Sequence, residues 1–523
     1  METALKTGLG IALVVAAATA GQAVLAQRGQ PARPRAITQS LTAPPGFPQS
    51  RVDESLIEYP LPKGAEAYAS IDGKKIHKYV VEQAEISRRF RDAGHQKWWG
   101  RITGFSGDTE SQQWLMAAYK RIGLTDVHLQ PFDLIPQWSP KDFDATITGG
   151  GQTVHLTSMQ PAYNANPMAD TEMDAVYGGL GTEADFAGKD VKGKAVFVYS
   201  MQGLPNLGGV GRAQSKGAAI VFDVTMLPGN MHYQPYPSGN TGPMFSLGND
   251  DGAAARRLIE GGGAKVRVHL DVERVPNLKT ALVFGTLPGA TDETIYLIAH
   301  RDGWFDASAD NASGVATMLG LAEYFSKVPR AQRKRTIVFV GLDGHHNNPG
   351  GGMGRAWMVA NKATLFPKTA LLINLEHTAQ ITTQARPRYY PGDELVWGTS
   401  FMPLEFYAGG PSRPELEKLV KNTFKQFYVP TEFDASYGVP AGDGGVFQNF
   451  VPTIGAGEYH NFFHTDWETP ETVPWTSLQA VTRAYAKIID EVNKIPLSAL
   501  QRPEEVSPGR GAPPPPPPSS RQP

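Results

Sequence analysis

The chain has 523 residues, 41% of them apolar and 19% charged, so its composition is that of a globular protein with room for roughly three domains. Its formal net charge of −2 provides no basic excess to neutralise phosphates, which argues against nucleic acid as a partner. Cysteine is absent, which excludes disulfides and zinc–thiolate sites, so any metal must be held by His, Asp and Glu.

The N-terminus has the features of an export signal. Lys6 precedes an apolar run, Ile11–Ala20, that is short for a membrane span, and small residues end at Ala26. We predict a signal peptide over residues 1–26 and an exported protein, periplasmic or extracellular, without membrane contact after cleavage. An uncleaved membrane anchor is the alternative.

The next segment has two parts. Residues 27–75, rich in Pro, Arg, Gln and Ser near their start, are predicted to be a disordered leader. Residues 76–135 are predicted to be the N-terminal segment of the main domain, with a helix from Ile76 to Trp99. A second helix is expected to begin at a capping box formed by Thr109 and Gln112 and to end at Gly123.

Residues 136–280 differ in character from their neighbours. Short β-like runs are separated by clusters of Gly, Pro, Asp and Asn, and we expect one helical segment, around Arg212–Gly217. The pattern predicts a separate β-rich insert. A long irregular excursion is the alternative, although it would be uncommon inside a compact domain.

Residues 281–497 alternate between apolar strands and amphipathic helices. This predicts an α/β fold, with a mostly parallel mixed sheet covered by helices on both faces. Residues 498–523 are Pro-rich and predicted to be a disordered tail. The predicted buried strands are Ile295–Ala299, Thr336–Leu342, Ala370–Leu375 and Pro452–Gly455.

Potential metal ligands follow these strands. Since the carboxyl ends of parallel strands share one edge of a sheet, such side chains predict a metal site there. Zn²⁺ suits this sulfur-free set best, with Mn²⁺, Co²⁺ or Ni²⁺ as alternatives, and Asp310 is placed to bridge two ions. The histidines are His300, His345, His346, His377, His460 and His464, and the acidic residues are Asp302, Asp310, Glu376 and Asp443.

The segment 294–474 resembles the co-catalytic zinc exopeptidases typified by aminopeptidase Y and glutamate carboxypeptidase. The matching features are His300-Arg301-Asp302-Gly303-Trp304, Asp310, the Arg335–Leu342 strand, Asn374-Leu375-Glu376, and Phe463-His464-Thr465 before Glu468-Thr469. The resemblance extends over about residues 80–495, and residues 136–280 are similar to the protease-associated insert of that family.

The resemblance implies a peptide substrate, two zinc ions and a bridging water as nucleophile. His300 and Glu376 would hold one zinc, and Asp310 would bridge. His464 would hold the second, with His346 in the position of a glutamate ligand. Because His346 replaces a carboxylate, the second zinc would be held more weakly, and a single ion is the alternative.

The chain also departs from the family at the residues expected to be catalytic. His345-His346 stands where the family has two adjacent glutamates, the first of which is the general base, and Phe463 stands where a Tyr often stabilises the oxyanion. We predict His345 as a replacement base. Asp302 is predicted to accept the spare N–H of His300 and fix its tautomer.

These departures leave three functions open: an active exopeptidase, a catalytically impaired peptidase-like binding protein, and a single-zinc cyclotransferase acting on N-terminal glutamine. The choice between amino- and carboxypeptidase specificity, the preferred side chain and the oligomeric state also stay open. Asp443 is expected either to orient a ligand or to serve a local turn. His377 and His460 neighbour site residues and are therefore expected to point away from the site.

Overall fold

The structure is a computed structural model. It describes Ser55 and residues 58–200, 207–227, 229–235, 243–346, 352–387, 395–401, 404–408, 414–429, 431–432, 442–456 and 462–501. The predicted signal peptide, the first part of the leader and the tail beyond Gln501 lie outside these residues. No helix among them is both long and apolar enough to cross a membrane.

The strands and helices of the described residues are numbered here in chain order. The strands are β1 Gly100–Arg101, β2 Thr125–Asp133, β3 Gln137–Gly149, β4 Gln152–His155, β5 Gln160–Pro161, β6 Met168–Tyr177, β7 Ala195–Tyr199, β8 Ile220–Val224, β9 Met244–Leu247, β10 Lys265–Val275, β11 Lys279–Leu287, β12 Thr294–His300, β13 Gly303–Trp304, β14 Thr336–Leu342, β15 Thr369–Leu375, β16 Ile381–Pro387, β17 Leu395–Phe401, β18 Leu404–Ala408, β19 Thr431–Glu432 and β20 Thr453–Ala456. The helices are α1 Gly73–Asp92, α2 Ser106–Ile122, α3 Glu183–Phe186, α4 Leu207–Ser215, α5 Asn249–Glu260, α6 Gly314–Ser326, α7 Met353–Ala360, α8 Lys362–Leu365, α9 Pro414–Gln426, α10 Trp475–Val492 and α11 Leu497–Leu500.

The main sheet has eight strands in the order β19-β18-β20-β15-β12-β14-β11-β2. Its centre is parallel, since β12 pairs in parallel with β14 and β15, and β15 with β20. Towards one edge, β11 is antiparallel to β14 and β2 to β11; towards the other, β18 is antiparallel to β20. The carboxyl ends of β12, β14 and β15 therefore meet at one edge.

Apolar side chains cover both faces of this sheet, as the alternation of side chains along a strand requires. On β12, Ile295, Leu297 and Ala299 face a core shared with α1, α2, α6, α9 and α10. Tyr296 and Ile298 face the opposite core, which includes Met358 of α7. The predicted α/β class, with a mostly parallel mixed sheet between helices, is confirmed.

A second sheet has the order β4-β3-β10-β6-β7-β8-β9-β5. Its strands lie between Gln137 and Val275, inside the range 136–280 expected for the insert. β10 is antiparallel to β3 and β6, whereas β7, β8 and β9 run parallel. The expectation of a single helix here is wrong, because α3, α4 and α5 all lie in this range.

Two helix boundaries were wrongly predicted. α1 ends at Asp92 and not at Trp99, because the chain turns at Gly94, whose φ is 116°. α2 begins at Ser106, so Thr109 lies inside the helix and forms no capping box. Gly123, with a φ of 93°, ends α2 as predicted.

The predicted limits of disorder are also wrong at their inner ends. Tyr68 and Ile71 of the predicted leader are buried in the main core, and the Tyr68 hydroxyl donates to Asp490 Oδ2 at 2.7 Å. At the other end, Leu500 is buried. The core therefore extends, through these apolar side chains, into residues that the composition assigns to the disordered leader and tail.

Candidate metal centre

Asp310 lies at the centre of the site. β12 ends at His300, and the chain then makes a buried turn over residues 308–313 before α6 begins. The side chain of Asp310 is fully buried, and its backbone N–H donates to Glu468 Oε1 at 2.6 Å. Burial opposes ionisation, but the surrounding histidines outweigh it and hold the pKa of Asp310 well below its usual range.

Four imidazoles surround this carboxylate in two pairs. The Nε2 atoms of His300 and His377 each lie 3.1 Å from Oδ1. The Nε2 atoms of His346 and His464 each lie 3.0 Å from Oδ2. Each oxygen of Asp310 therefore faces its own pair of ring nitrogens, as a carboxylate that bridges two ions would.

The spacing of these donors fits a metal. Tetrahedral Zn²⁺ with bonds of ~2.0–2.1 Å places its ligand atoms roughly 3.3 Å apart. Asp310, His346 and His464 form one group whose ligand atoms all lie within 4.8 Å of one another, and His300, Glu376 and His377 form another. Burial lowers the pKa of His464 to about 3, which leaves its ring neutral and able to ligate.

Asp302 does more than the predicted orientation of His300. The Nδ1 of His300 is 3.2 Å from the backbone oxygen of Asp302 and 3.5 Å from its Oδ1. The carboxylate accepts the backbone N–H groups of His345 at 3.1 Å and His346 at 2.9 Å. Asp302 thus fixes the turn after β14 that carries both histidines.

Glu376 follows β15 directly and is buried. Its Oε2 accepts from Asn374 Nδ2 at 2.7 Å and from the backbone N–H of Asp443 at 3.2 Å. A Cβ at Gly442 would lie 1.7 Å from Oε2, so only glycine fits at that position. These contacts hold the carboxylate near His300 and His377.

The expectation that His377 points away from the site is wrong. Side chains alternate only while the backbone stays extended, and β15 ends at Leu375. His377 has a φ of 48°, and its backbone N–H donates to Asn311 Oδ1 at 3.2 Å. This left-handed turn brings the ring to Asp310. His460 lies outside the described residues.

His345 lies beside the centre. Its ring stacks on that of His300 with centroids 4.2 Å apart, and its Nδ1 is 3.0 Å from Asp443 Oδ1. Although burial opposes ionisation, His345 and Arg355 lower the pKa of Asp443 to about 2. Asp443 therefore contacts two side chains across the site and is more than a local turn residue.

Residues 283–489 match peptidase family M28. The chain contains a peptidase family M28 domain. This match confirms the resemblance to the co-catalytic zinc exopeptidases. The M28 match takes in all of the predicted site residues, from His300 to His464, and leaves the whole of the second sheet outside.

Relatives of known name agree with this assignment. Aminopeptidase YwaD of Bacillus subtilis (strain 168) is 25% identical over 248 residues, which are 46% of this chain and 50% of the relative. The match thus spans half the length of that relative.

Solved structures are similar in fold. A peptidase M28 precursor from Shewanella amazonensis SB2B has a TM-score of 0.63 at 16% identity, covering 87% of this chain and 100% of its own. BSAP, a zinc aminopeptidase from Bacillus subtilis, has a TM-score of 0.56 at 16% identity, covering 82% and 98%. The coverage extends the similarity in fold well beyond the M28 match.

One contributor to the M28 site had no predicted role. Glu468 accepts the N–H of Asp310 through Oε1 and the N–H of His464 through Oε2, at 2.6 and 3.2 Å. Burial, followed by the charge of Asp310, raises its pKa to about 8. The sequence signals were its position four residues after His464 and the match of Glu468-Thr469 to the family, and neither reveals the contact with Asp310.

Proposed function

We propose that the chain is an exported zinc-dependent exopeptidase of the aminopeptidase type, which hydrolyses peptide bonds with a metal-activated water. The observation that carries this proposal is Asp310, with one pair of imidazole nitrogens at each carboxylate oxygen. Zinc, when bound, would acidify a water molecule and polarise the substrate carbonyl.

The donor set supports a pair of ions. His300, Asp310 and Glu376 would hold the first, and Asp310, His346 and His464 the second. The His346 ring is fully buried, and its Nε2 faces Asp310 while its Nδ1 is 3.3 Å from Asp302 Oδ2. A carboxylate behind a ligating imidazole orients the ring and raises its basicity, which offsets part of the loss of a glutamate ligand.

His345 would hold and move the proton. Asp443 is ionised and faces Nδ1 as an acceptor, so Nδ1 carries a proton and Nε2 is the ring nitrogen left to accept one. Nε2 points towards Glu376, with 3.8 Å between it and Oε1. The Asp443–His345 pair thus presents a proton acceptor beside the metal ligands, where the family has a glutamate.

A specific observation favours a second function, a peptidase-like binding protein with impaired catalysis. Phe463 is buried, stacks on His464 with centroids 3.6 Å apart, and has no group that could donate to an oxyanion. Losing one such donor typically lowers the rate by ~10²–10³. Together with the His345-His346 pair, this would leave a peptide cleft that binds without rapid turnover.

The test combines zinc content with turnover of aminoacyl and peptidyl p-nitroanilides. We expect two zinc ions per chain, hydrolysis, and a fall in kcat of ~10²–10⁴ in His345→Ala, while the exposed His128→Ala leaves kcat unchanged. A fully zinc-loaded protein without turnover, in which His345→Glu with His346→Glu creates activity, would support the binding protein. One zinc per chain without hydrolysis would support the cyclotransferase.

Export is a separate part of the proposal and rests on the N-terminal sequence. The run Ile11–Ala20 and the small residues ending at Ala26 support cleavage by a signal peptidase. Expression of the full chain in a Gram-negative host, followed by N-terminal sequencing of the periplasmic protein, tests it. A mature chain beginning at Gln27 is expected, and retention in the membrane with Met1 intact would contradict it.

A further inference from the structure

We propose that the two metal positions are unequal, because His377 completes a closed four-ligand first site while the second keeps an open position. This inference rests on the proposed function, since it assumes that metal is bound. In it, the first ion is held by His300, Asp310, Glu376 and His377. The second is held by Asp310, His346 and His464.

The backbone fixes His377 in place. Its N–H donates to Asn311 Oδ1 at 3.2 Å, and the N–H of Thr378 donates to Ser313 Oγ at 3.0 Å. Both acceptors belong to the buried turn that carries Asp310. The end of β15 is therefore held against that turn, and the left-handed conformation of His377 is imposed by two hydrogen bonds from outside the strand.

The rings of His377 and His300 lie at the same distance from Asp310. Each Nε2 is 3.1 Å from Asp310 Oδ1, and both rings are buried. The ring of Phe463 lies against His377 with centroids 5.5 Å apart. Phe463 is apolar and limits the access of water to this side of the site. The ring nitrogen of His377 is therefore stabilised more by a bound metal ion than by solvent.

The number of ligands then differs between the positions. Four protein ligands fill the tetrahedral coordination of Zn²⁺, as in structural sites, whereas three leave a position for water or substrate, as in catalytic sites. Glu376 belongs to the first set alone, with its ligand atom within 4.8 Å of those of His300 and His377.

The charges of the two ligand sets also favour tighter binding at the first position. The first set contains two carboxylates, those of Asp310 and Glu376, while the second contains only the shared carboxylate of Asp310 and two imidazoles. A dication is held more weakly where fewer anionic ligands face it. We therefore assign tight binding to the first position, and weak binding, exchange and contact with substrate to the second.

Titration of the metal-free full chain with CoCl₂ and with ZnCl₂ tests this inference. Binding is followed by visible absorption of cobalt and by competition with a chelator. We expect two steps, with dissociation constants at least ~100-fold apart, and four-coordinate cobalt absorption in the first step. His377→Ala should weaken the tight step by at least ~10-fold, and His346→Ala should abolish the weak step and leave the tight one unchanged.

Two controls keep the test decisive. His128→Ala, an exposed histidine on β2, should change neither step. Circular dichroism of each variant reports folding, and His377→Gln replaces His377→Ala if the latter unfolds. Two equal steps, or a tight step insensitive to both His377 variants, would overturn the inference while leaving the peptidase proposal standing. No metal binding by the parent protein would overturn both.

Discussion

The backbone N–H of His232 donates to Asp466 Oδ1 at 3.0 Å, and its ring Nδ1 lies 2.8 Å from Asp466 Oδ2. Next to this pair, the N–H of Gln234 donates to the backbone oxygen of His464 at 2.8 Å. A small apolar cluster of Met231, Leu227, Phe462 and Trp467 packs beside these contacts. The segment before β9 thus supports the loop that carries a predicted metal ligand.

The first prediction concerns this pair. Burial opposes the charge on His232, but the contact with Asp466 outweighs it and raises the pKa of His232. A histidine whose pKa is raised on folding stabilises the fold fully below its unfolded pKa of ~6.5, and this stabilisation is lost as the pH rises through the folded value. Asp466→Asn should therefore cost about 1 kcal/mol at roughly pH 6, and less at roughly pH 9.

Urea unfolding of the metal-free protein at both pH values measures this difference. Asp126→Asn is the matched control, because it removes the partner of an exposed histidine, His128, whose Nδ1 lies 3.2 Å from Asp126 Oδ1. A destabilisation by Asp466→Asn that is equal at both pH values would show that the charge of His232 contributes nothing.

Much of the metal centre could be predicted from the sequence, because parallel strands bring residues that are distant in the chain to the same edge of the sheet. His300 and Glu376 follow apolar runs that pair in register as parallel neighbours, β12 and β15, so their convergence follows from the pattern. The expectation for His377 is wrong because side chains alternate only along an extended strand, and β15 ends at Leu375. Its orientation depends on a hydrogen bond to Asn311, 66 residues away, which no local pattern reveals.

The second prediction concerns a buried ion pair that follows His300. Arg301 Nη1 donates to Asp108 Oδ1 at 2.8 Å, and Asp108 Oδ2 accepts from Thr280 Oγ1 at 2.7 Å. Removing one partner of a buried pair leaves the other charge uncompensated, so Asp108→Ala should lower the free energy of unfolding by about 3–5 kcal/mol. Chemical denaturation measures this loss.

Asp170→Ala provides the comparison, since Asp170 pairs with Arg267 on the surface and both side chains are at least half exposed. Surface pairs contribute ~0–1 kcal/mol, so this variant should remain close to the parent. Equal losses in the two variants would contradict the importance assigned to burial.

The third prediction concerns Glu468, which accepts two backbone N–H groups. In Glu468→Gln, the amide nitrogen must face either the N–H of Asp310 or that of His464, and a donor opposite a donor repels it. Because the pKa of Glu468 is about 8, the comparison is made at roughly pH 9, where its carboxylate is ionised, and there we expect the affinity for zinc to fall by ~10–100-fold with the fold retained. Chelator competition measures the affinity. Glu471→Gln, an exposed change three residues away, should leave it unaltered.

Arg101 also connects distant segments, and its contribution could not be predicted from β1, the two-residue strand in which it lies. Its side chain is fully buried, and burial lowers its pKa to about 10. It donates to the backbone oxygens of Arg301 at 2.9 Å, Asp306 at 2.8 Å and Ala307 at 3.0 Å, and to Ser87 Oγ at 2.9 Å. One guanidinium thereby holds the whole loop between His300 and Asp310.

The fourth prediction is that Arg101→Met lowers the free energy of unfolding by at least about 3 kcal/mol, because several buried carbonyl groups lose their donors. It should also weaken zinc binding, since the loop joins two predicted ligands. Arg101→Lys should restore little, because a single ammonium cannot match the fixed fork of donors that reaches all three carbonyls.

Arg267→Met, at an exposed site, is the control for loss of a guanidinium. Denaturation and zinc competition on the same samples test both effects, and normal stability of Arg101→Met would show that the loop holds its shape without this side chain.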